Sequence, residues 1–100
     1  MKFESIGDTL KITGLVELSG VNAPTFGQEV RAALLPEHRV VELDFSQGTF
    51  LDSTGISALI ALHKALTGRE GCLRLTHPSP VVLHVLELTR LDRLLQIVRD

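Results

Sequence analysis

The residues of this chain best suited to chemistry are an acid and two hydroxyls that stand together, Asp52, Ser53 and Thr54. Their oxygens can form the turn and the cap at the start of a helix, because the first N–H groups of a helix have no partner inside it. The acid of a capping box is missing, since Ile56 and Ser57 stand where Glu or Gln would answer the cap. We therefore expect Ser53 or Thr54 to cap a helix whose N-terminal amides tolerate added negative charge, such as a phosphate.

Other catalytic and metal-binding patterns are missing from the sequence. It has no glycine-rich phosphate loop of the G-x-x-x-x-G-K-[ST] type and no G-x-S-x-G motif around Ser53 or Ser57. Its four histidines include no pair at the i, i+4 spacing of helical metal ligands, and we expect His63 to be partly buried and hydrogen-bonded locally. Asp44 and Asp52 could form a carboxylate pair, but a turn role is favoured for each. We expect no enzyme, no cofactor and no metal site.

The composition is typical of one globular domain, which we expect to span residues 1–100. Ten basic residues are scattered among twelve acids for a net charge of -2, which argues against direct nucleic-acid binding. No apolar run approaches the roughly 20 residues that span a bilayer, and the N-terminus lacks the apolar core of a signal peptide. The single Cys72 excludes an internal disulfide. We expect a cytoplasmic protein without membrane insertion.

A strand and a helix must position the acid and the hydroxyls. Before them, Val41, Leu43 and Phe45 alternate with acids, which predicts a strand over residues 39–45. After them, apolar residues recur at helical spacing, which predicts a helix that runs to about Thr67 with Gly68 as its left-handed cap.

Further strands and helices are predicted on both sides of this unit. Gly7-Asp8 joins two short alternating runs as a hairpin turn, and Pro24 and Pro36 mark the start and the end of an amphipathic helix. A strand over residues 73–76 is followed by a helix that Ser79 caps, and residues 96–98 are a candidate edge strand. Residues 15–18 remain open between a strand continuation, a bulge and a loop.

The order of these elements indicates an α/β fold. Strands that alternate with helices require parallel pairing and right-handed crossovers, so we expect a mixed four- to five-stranded sheet that begins with a hairpin. Polar residues alternate with apolar ones in two of its strands, namely Glu42, Asp44, Arg74 and Thr76. Because a sheet covered on both faces has continuous apolar strands, we expect the helices to pack mainly on one face.

Two segments resemble STAS domains, in particular bacterial anti-sigma factor antagonists. The first is similar to the signature loop of the family and reads Leu43-Asp44-Phe45-Ser46, then Phe50-Leu51-Asp52-Ser53-Thr54-Gly55-Ile56-Ser57-Ala58-Leu59. The second is similar to a later helix of the family and reads Leu86-Glu87-Leu88-Thr89-Arg90-Leu91-Asp92, with Arg90 where glycine is common. The resemblance covers residues 39–98 well and the first forty residues by element order.

The resemblance implies a non-enzymatic switch with a STAS-like fold. In such a switch the unmodified protein binds an anti-sigma factor serine kinase, phosphorylation of Ser53 by this partner releases it, and a phosphatase that acts on phosphorylated Ser53 restores binding. The implied partner-binding residues are Asp52, Ser53, Thr54, Gly55 and Ile56, with Gly55 admitting the partner's backbone.

Two other functions stay open at this point. The first is a constitutive STAS subunit or scaffold of a larger lipid-transport or sensory assembly, without a phosphorylation switch. The second is a small enzyme with Ser53 as nucleophile, which lacks an identifiable base in the sequence.

Overall fold

A five-stranded mixed sheet, flanked by helices and by a small two-stranded sheet, organises the computed structural model, which describes residues 1–99. The expected domain end at Asp100 lies outside the described residues. In chain order the elements are β1 (Lys2–Ile6), β2 (Thr9–Thr13), β3 (Glu17–Leu18), α1 (Ala23–Ala33), β4 (Val40–Asp44), β5 (Phe50–Leu51), α2 (Ser53–Thr67), β6 (Cys72–Thr76), α3 (Pro80–Leu88), α4 (Leu91–Leu94) and β7 (Gln96–Val98). Within residues 1–99, no helix combines the length and the apolar character needed to cross a membrane.

The large sheet has the strand order β1-β2-β4-β6-β7. β1 and β2 form the predicted antiparallel hairpin, whose turn contains Gly7 at a φ of 61°. The other neighbours pair in parallel, and β7 is the edge strand predicted near the C-terminus. The expected mixed α/β sheet with an N-terminal hairpin is therefore confirmed.

The two faces of this sheet differ in polarity, as the sequence predicts, although Thr76, one of the expected polar positions, is buried. One face carries the fully buried side chains of Ile12, Val41, Leu43 and Leu75, which pack in the apolar core with residues of the helices. The other face carries a row of residues in register across all five strands, which are Glu4, Lys11, Glu42, Arg74 and Gln96. The four charges of this row alternate in sign, and Arg74 and Glu42 approach to 3.4 Å as an ion pair.

The second, small sheet is absent from the sequence prediction. Glu17–Leu18, in the segment that the sequence leaves open, forms β3 and pairs in parallel with β5. Strands of two residues are too short to show an alternating pattern, so periodicity does not reveal them. The short helix α4 is missed for the same reason.

The predicted left-handed cap at Gly68 is wrong. Gly68 adopts right-handed helical angles, φ -64° and ψ -18°, and the left-handed residue is Glu70 at φ 61°. The chain then returns to the core at Gly71, where an added Cβ would lie only 1.8 Å from the carbonyl oxygen of Arg39. Gly71 is thus required by this close backbone contact, and its N–H donates to the Leu66 carbonyl oxygen in the last turn of α2 at 2.7 Å.

Two histidines are not fully exposed to solvent. His38 is fully buried, and its Nδ1 accepts a hydrogen bond from the Leu35 N–H at 2.9 Å. Its proton therefore resides on Nε2, which donates to Ser5 Oγ at 2.8 Å. His63 is half-buried as expected, but its buried Nδ1 has no hydrogen-bond partner within residues 1–99, so the expected local hydrogen bond is wrong.

We predict that His38→Ala lowers the free energy of unfolding by about 2–4 kcal/mol, because it leaves a cavity and an unpaired N–H at Leu35. Ser5→Ala is the matched control, since it removes the other partner of the ring at an exposed position and should cost about 1 kcal/mol or less. Urea denaturation of the three proteins measures both values. Equal losses for the two variants would contradict the structural role of the imidazole.

Candidate functional site

Two turns lie side by side at the start of helices α1 and α2. The pairing of β3 with β5 sets Glu17 opposite Phe50 and Leu18 opposite Leu51. The turn of residues 19–22, which leads into α1, therefore meets the first turn of α2, at residues 52–54, which begins with the N-cap Asp52. The Asp52 N–H also donates to the Leu18 carbonyl oxygen at 3.4 Å.

Asp52 joins the two turns through its carboxylate. Its Oδ1 accepts a hydrogen bond from the Gly55 N–H at 2.9 Å, and its Oδ2 accepts one from the Gly20 N–H at 3.2 Å. Asp52 is thus the N-cap of α2, and the prediction that Ser53 or Thr54 caps this helix is wrong. The cap falls one residue earlier because the backbone is extended at Asp52 and already helical at Ser53. Asp52 thus accepts a hydrogen bond from one of the N-terminal amides of α2, although the acid of a capping box is missing.

These hydrogen bonds favour the ionised form of Asp52. The Gly55 N–H makes the largest contribution and lowers the pKa of the carboxyl below its ordinary value of 3.8. Desolvation opposes this shift, and the N–H groups of Gly20 and Thr54 reinforce it. The group that ties the two turns is therefore a carboxylate at neutral pH.

Ser53 and Thr54 are both exposed. Within residues 1–99 neither hydroxyl takes part in a side-chain hydrogen bond, because Asp52 supplies the cap. Thr54 lies beside the other turn, with its Oγ1 3.7 Å from the position that a Cβ on Gly20 would occupy. Ser53, the first residue of α2, presents its hydroxyl to solvent.

Gly55 and Ile56 lie beneath the turn. Gly55 is buried, and an added Cβ would lie 2.0 Å from the Leu18 carbonyl oxygen. The missing side chain therefore makes room for β3 of the same chain, which differs from the expected role of admitting a partner's backbone. Ile56 is half-buried against the apolar core. The structure thus brings Asp52, Ser53 and Thr54 together at the surface, with Gly55 and Ile56 as their support.

The turn of residues 19–22 was not identified from the sequence. Ser19 is almost fully buried, and its N–H donates to Asn22 Oδ1 at 2.8 Å. Asn22 Nδ2 in turn donates to the Glu17 carbonyl oxygen at 2.6 Å, and Ser19 Oγ donates to Glu17 Oε2 at 2.7 Å. These bonds give the turn a fixed shape. The available signal was the cluster of Ser19, Gly20 and Asn22 just before Pro24.

Exposed apolar side chains lie in or just before the two turns. The side chains of Val16, Val21 and Phe50 are 48%, 87% and 50% exposed. We call these three residues the apolar rim. Exposed apolar side chains of this kind offer surface that a protein partner could cover.

Comparison with known protein families gives a match over nearly the whole chain. The family model described as "Mlab, STAS domain" matches residues 2–98. Sulfate transporter 1.2 of Arabidopsis thaliana is 37% identical over 62 residues, which is 62% of this chain. The chain spans about a tenth of the length of this curated relative.

Solved structures with the same fold include three proteins described as anti-sigma factor antagonists. A Thermotoga maritima protein, a candidate antagonist by its description, is 25% identical with a TM-score of 0.90, over 99% of this chain and 86% of its own. An antagonist from Mycobacterium paratuberculosis is 23% identical with a TM-score of 0.79, over 99% and 84%. Unphosphorylated SpoIIAA is 20% identical with a TM-score of 0.69, over 93% and 96%. The last two similarities show the fold alone.

We predict that Gly55→Ala lowers the free energy of unfolding by about 1–3 kcal/mol, because the new methyl group forces α2 away from β3. Gly20→Ala is the matched control in the facing turn, where the nearest atom to the new Cβ is 3.7 Å away, and its effect should stay within about 0.5 kcal/mol. Chemical denaturation measures both effects. Similar values for the two variants would show that the close approach at Gly55 is relieved without cost.

We predict that Asp52→Asn, which keeps a capping oxygen but removes the charge, destabilises the protein at neutral pH and less so in acid. A carboxyl whose pKa is lowered by folding stabilises the native state above its ordinary value of 3.8, and this contribution is lost as the pH falls through the lowered pKa. Unfolding free energies of parent and variant, measured from neutral pH to below 3.8, test this. A difference that stays constant or grows in acid would disprove it.

Proposed function

The chain belongs to the STAS domain family, and on this premise we propose that it is an anti-sigma factor antagonist of a partner-switching pathway. In this proposal the unmodified protein binds an anti-sigma factor serine kinase. Phosphorylation of Ser53 by that kinase breaks the complex, and a phosphatase that acts on phosphorylated Ser53 restores it. The protein acts by binding, in the cytoplasm, and not as an enzyme.

The observation that carries this proposal is the state of the Ser53 hydroxyl. It is exposed at the first residue of α2 and is free of side-chain hydrogen bonds within residues 1–99, while the adjacent Asp52 caps the helix. A kinase can reach such a hydroxyl without unfolding the helix. The apolar rim of Val16, Val21 and Phe50 supplies the contact area that a protein partner would bury.

The local electrostatics explain how a phosphate would oppose binding. A phosphate on Ser53 adds about -1.5 to -2 charges next to the Asp52 carboxylate. In residues 1–99 that carboxylate is hydrogen-bonded by the backbone N–H groups of Gly55 and Gly20 and by no Lys or Arg. The added charge would therefore lie beside a carboxylate that no cationic side chain among the described residues pairs, and burying both against a partner is unfavourable. For a near-complete release, the binding free energies of the unmodified and the phosphorylated protein must differ by roughly 5 kcal/mol.

Nucleophilic catalysis by a serine has less support than the binding of a protein partner. Ser53 lacks a hydrogen-bonded histidine or carboxylate that could serve as its base within residues 1–99. The one serine–histidine hydrogen bond there joins Ser5 to His38, and its histidine donates to the hydroxyl. An imidazole that already donates its Nε2 proton cannot accept the proton of that hydroxyl, so this pair is unsuited to general-base catalysis.

We predict that incubation with the cognate anti-sigma factor serine kinase and MgATP adds one phosphate, and that peptide mapping places it on Ser53. Ser53→Ala should abolish the mass shift, whereas Thr54→Ala, the matched control at the neighbouring exposed hydroxyl, should keep it. Ser53→Asp should weaken binding to the kinase at least tenfold, or about 1.4 kcal/mol. Modification at another residue, or an unchanged affinity of Ser53→Asp, would refute the switch.

A second candidate function is a constitutive STAS subunit of a transport assembly. The observation that favours it is the match to a segment of a sulfate transporter, in which the matched part is about a tenth of the length. In that case the apolar rim and the turn of residues 52–54 would dock permanently. Co-purification separates the two functions, because a permanent complex resists MgATP whereas a switch complex dissociates on phosphorylation.

A further inference from the structure

A narrow apolar groove runs between α1 and α2, away from the two turns. Its volume is about 140 Å³. Its walls are formed mainly by apolar residues, among them Phe26 and Val30 from α1, the C-cap residue Leu34, and Ala58 and Leu62 from α2. The groove stays open because small residues, chiefly alanines of α2, occupy the positions where larger side chains would fill it.

A single charged side chain stands among the lining residues. Arg31 is exposed on α1, and its guanidinium nitrogens lie 3.3 and 3.7 Å from the position that a Cβ on Gly27 would occupy. The guanidinium thus lies over Gly27, at the wall of the groove. Within residues 1–99, Arg31 takes part in neither of the two ion pairs and donates no side-chain hydrogen bond. No acid lines the groove.

The lining selects the chemistry of an occupant. Apolar walls favour an aliphatic chain, and an unpaired guanidinium without a neighbouring acid favours a carboxylate, which it can bind through two parallel hydrogen bonds. The volume limits the size, since a cavity of about 150 Å³ lined by apolar side chains holds one benzene ring. An occupant of roughly six to eight carbons therefore matches the space.

We propose that the groove between α1 and α2 binds a medium-chain free fatty acid, with its chain between the two helices and its carboxylate on Arg31. This site is separate from the partner-switching function and does not depend on it. An acidic peptide segment is the alternative occupant, and the same test separates the two.

The test is a titration of the ¹⁵N-labelled protein with octanoate, followed by the backbone amide NMR shifts. We expect saturable shifts confined to the groove residues of α1 and α2. Octanol, which has the same chain length without the charge, should bind at least tenfold more weakly, and acetate should give no saturation. No saturable shift with octanoate, as expected for a peptide site, or shifts centred elsewhere would overturn the proposal.

Two variants assign the binding to the groove. Ala61→Leu fills it from an exposed position and should weaken octanoate binding at least tenfold, whereas Ala32→Leu, at an exposed alanine of α1 outside the groove, should not. Arg31→Gln should reduce the affinity for octanoate to that for octanol. The dispersion of the amide spectrum confirms that each variant is folded. Unchanged octanoate affinity in Ala61→Leu or in Arg31→Gln would also overturn the proposal.

Discussion

The hydrogen bonds of the Asp52 carboxylate are the interaction on which the candidate site depends. One oxygen caps α2 through the Gly55 N–H, and the other binds the Gly20 N–H of the turn before α1. A single side chain thus fixes the start of one helix and the position of the neighbouring turn. A hydroxyl cap at Ser53 or Thr54 would offer one oxygen to both N–H groups, whereas the carboxylate accepts each of them on a separate oxygen. The use of an acid here therefore leaves both hydroxyls at the surface.

The close contact of backbone with backbone beneath this carboxylate is equally restrictive. Leu18 and Gly55 approach so closely that a methyl group does not fit between them, and the two-residue strands β3 and β5 keep the approach in register. The site is therefore rigid in its support and open in its outer surface. Such a division would suit the proposed phosphorylation of Ser53, which a kinase would have to reach without loss of α2.

The sequence predicts the large sheet and its helices because their patterns extend over enough residues. In β4, for example, the alternation of Val41 and Leu43 with acids distinguishes a buried face from a polar one, as the structure confirms. It also identifies Asp52, Ser53 and Thr54 as one group. It misassigns the cap because all three residue types are good caps, and the choice depends on where the backbone turns helical.

Contacts between distant segments account for what the sequence does not reveal. The role of Gly55 depends on the carbonyl of Leu18, and that of Gly71 on the carbonyl of Arg39, neither of which is a neighbour in sequence. The buried hydrogen bonds of His38 likewise join β1 to the loop after α1. A sequence pattern shows which residues are apolar, but it does not show which backbone segments come into contact. The need for glycine at positions 55 and 71, and the hydrogen bonds of His38, depend on such contacts.

The distribution of charge explains why binding is expected on the helical side. On the polar face of the sheet, Glu42 already forms an ion pair with Arg74 at 3.4 Å, so a partner would have to replace that interaction. The apolar rim carries no charge, and Arg31 at the groove has no ion-pair partner among the described residues. The groove lies between α1 and α2, and the rim residues lie in the segments that precede these two helices.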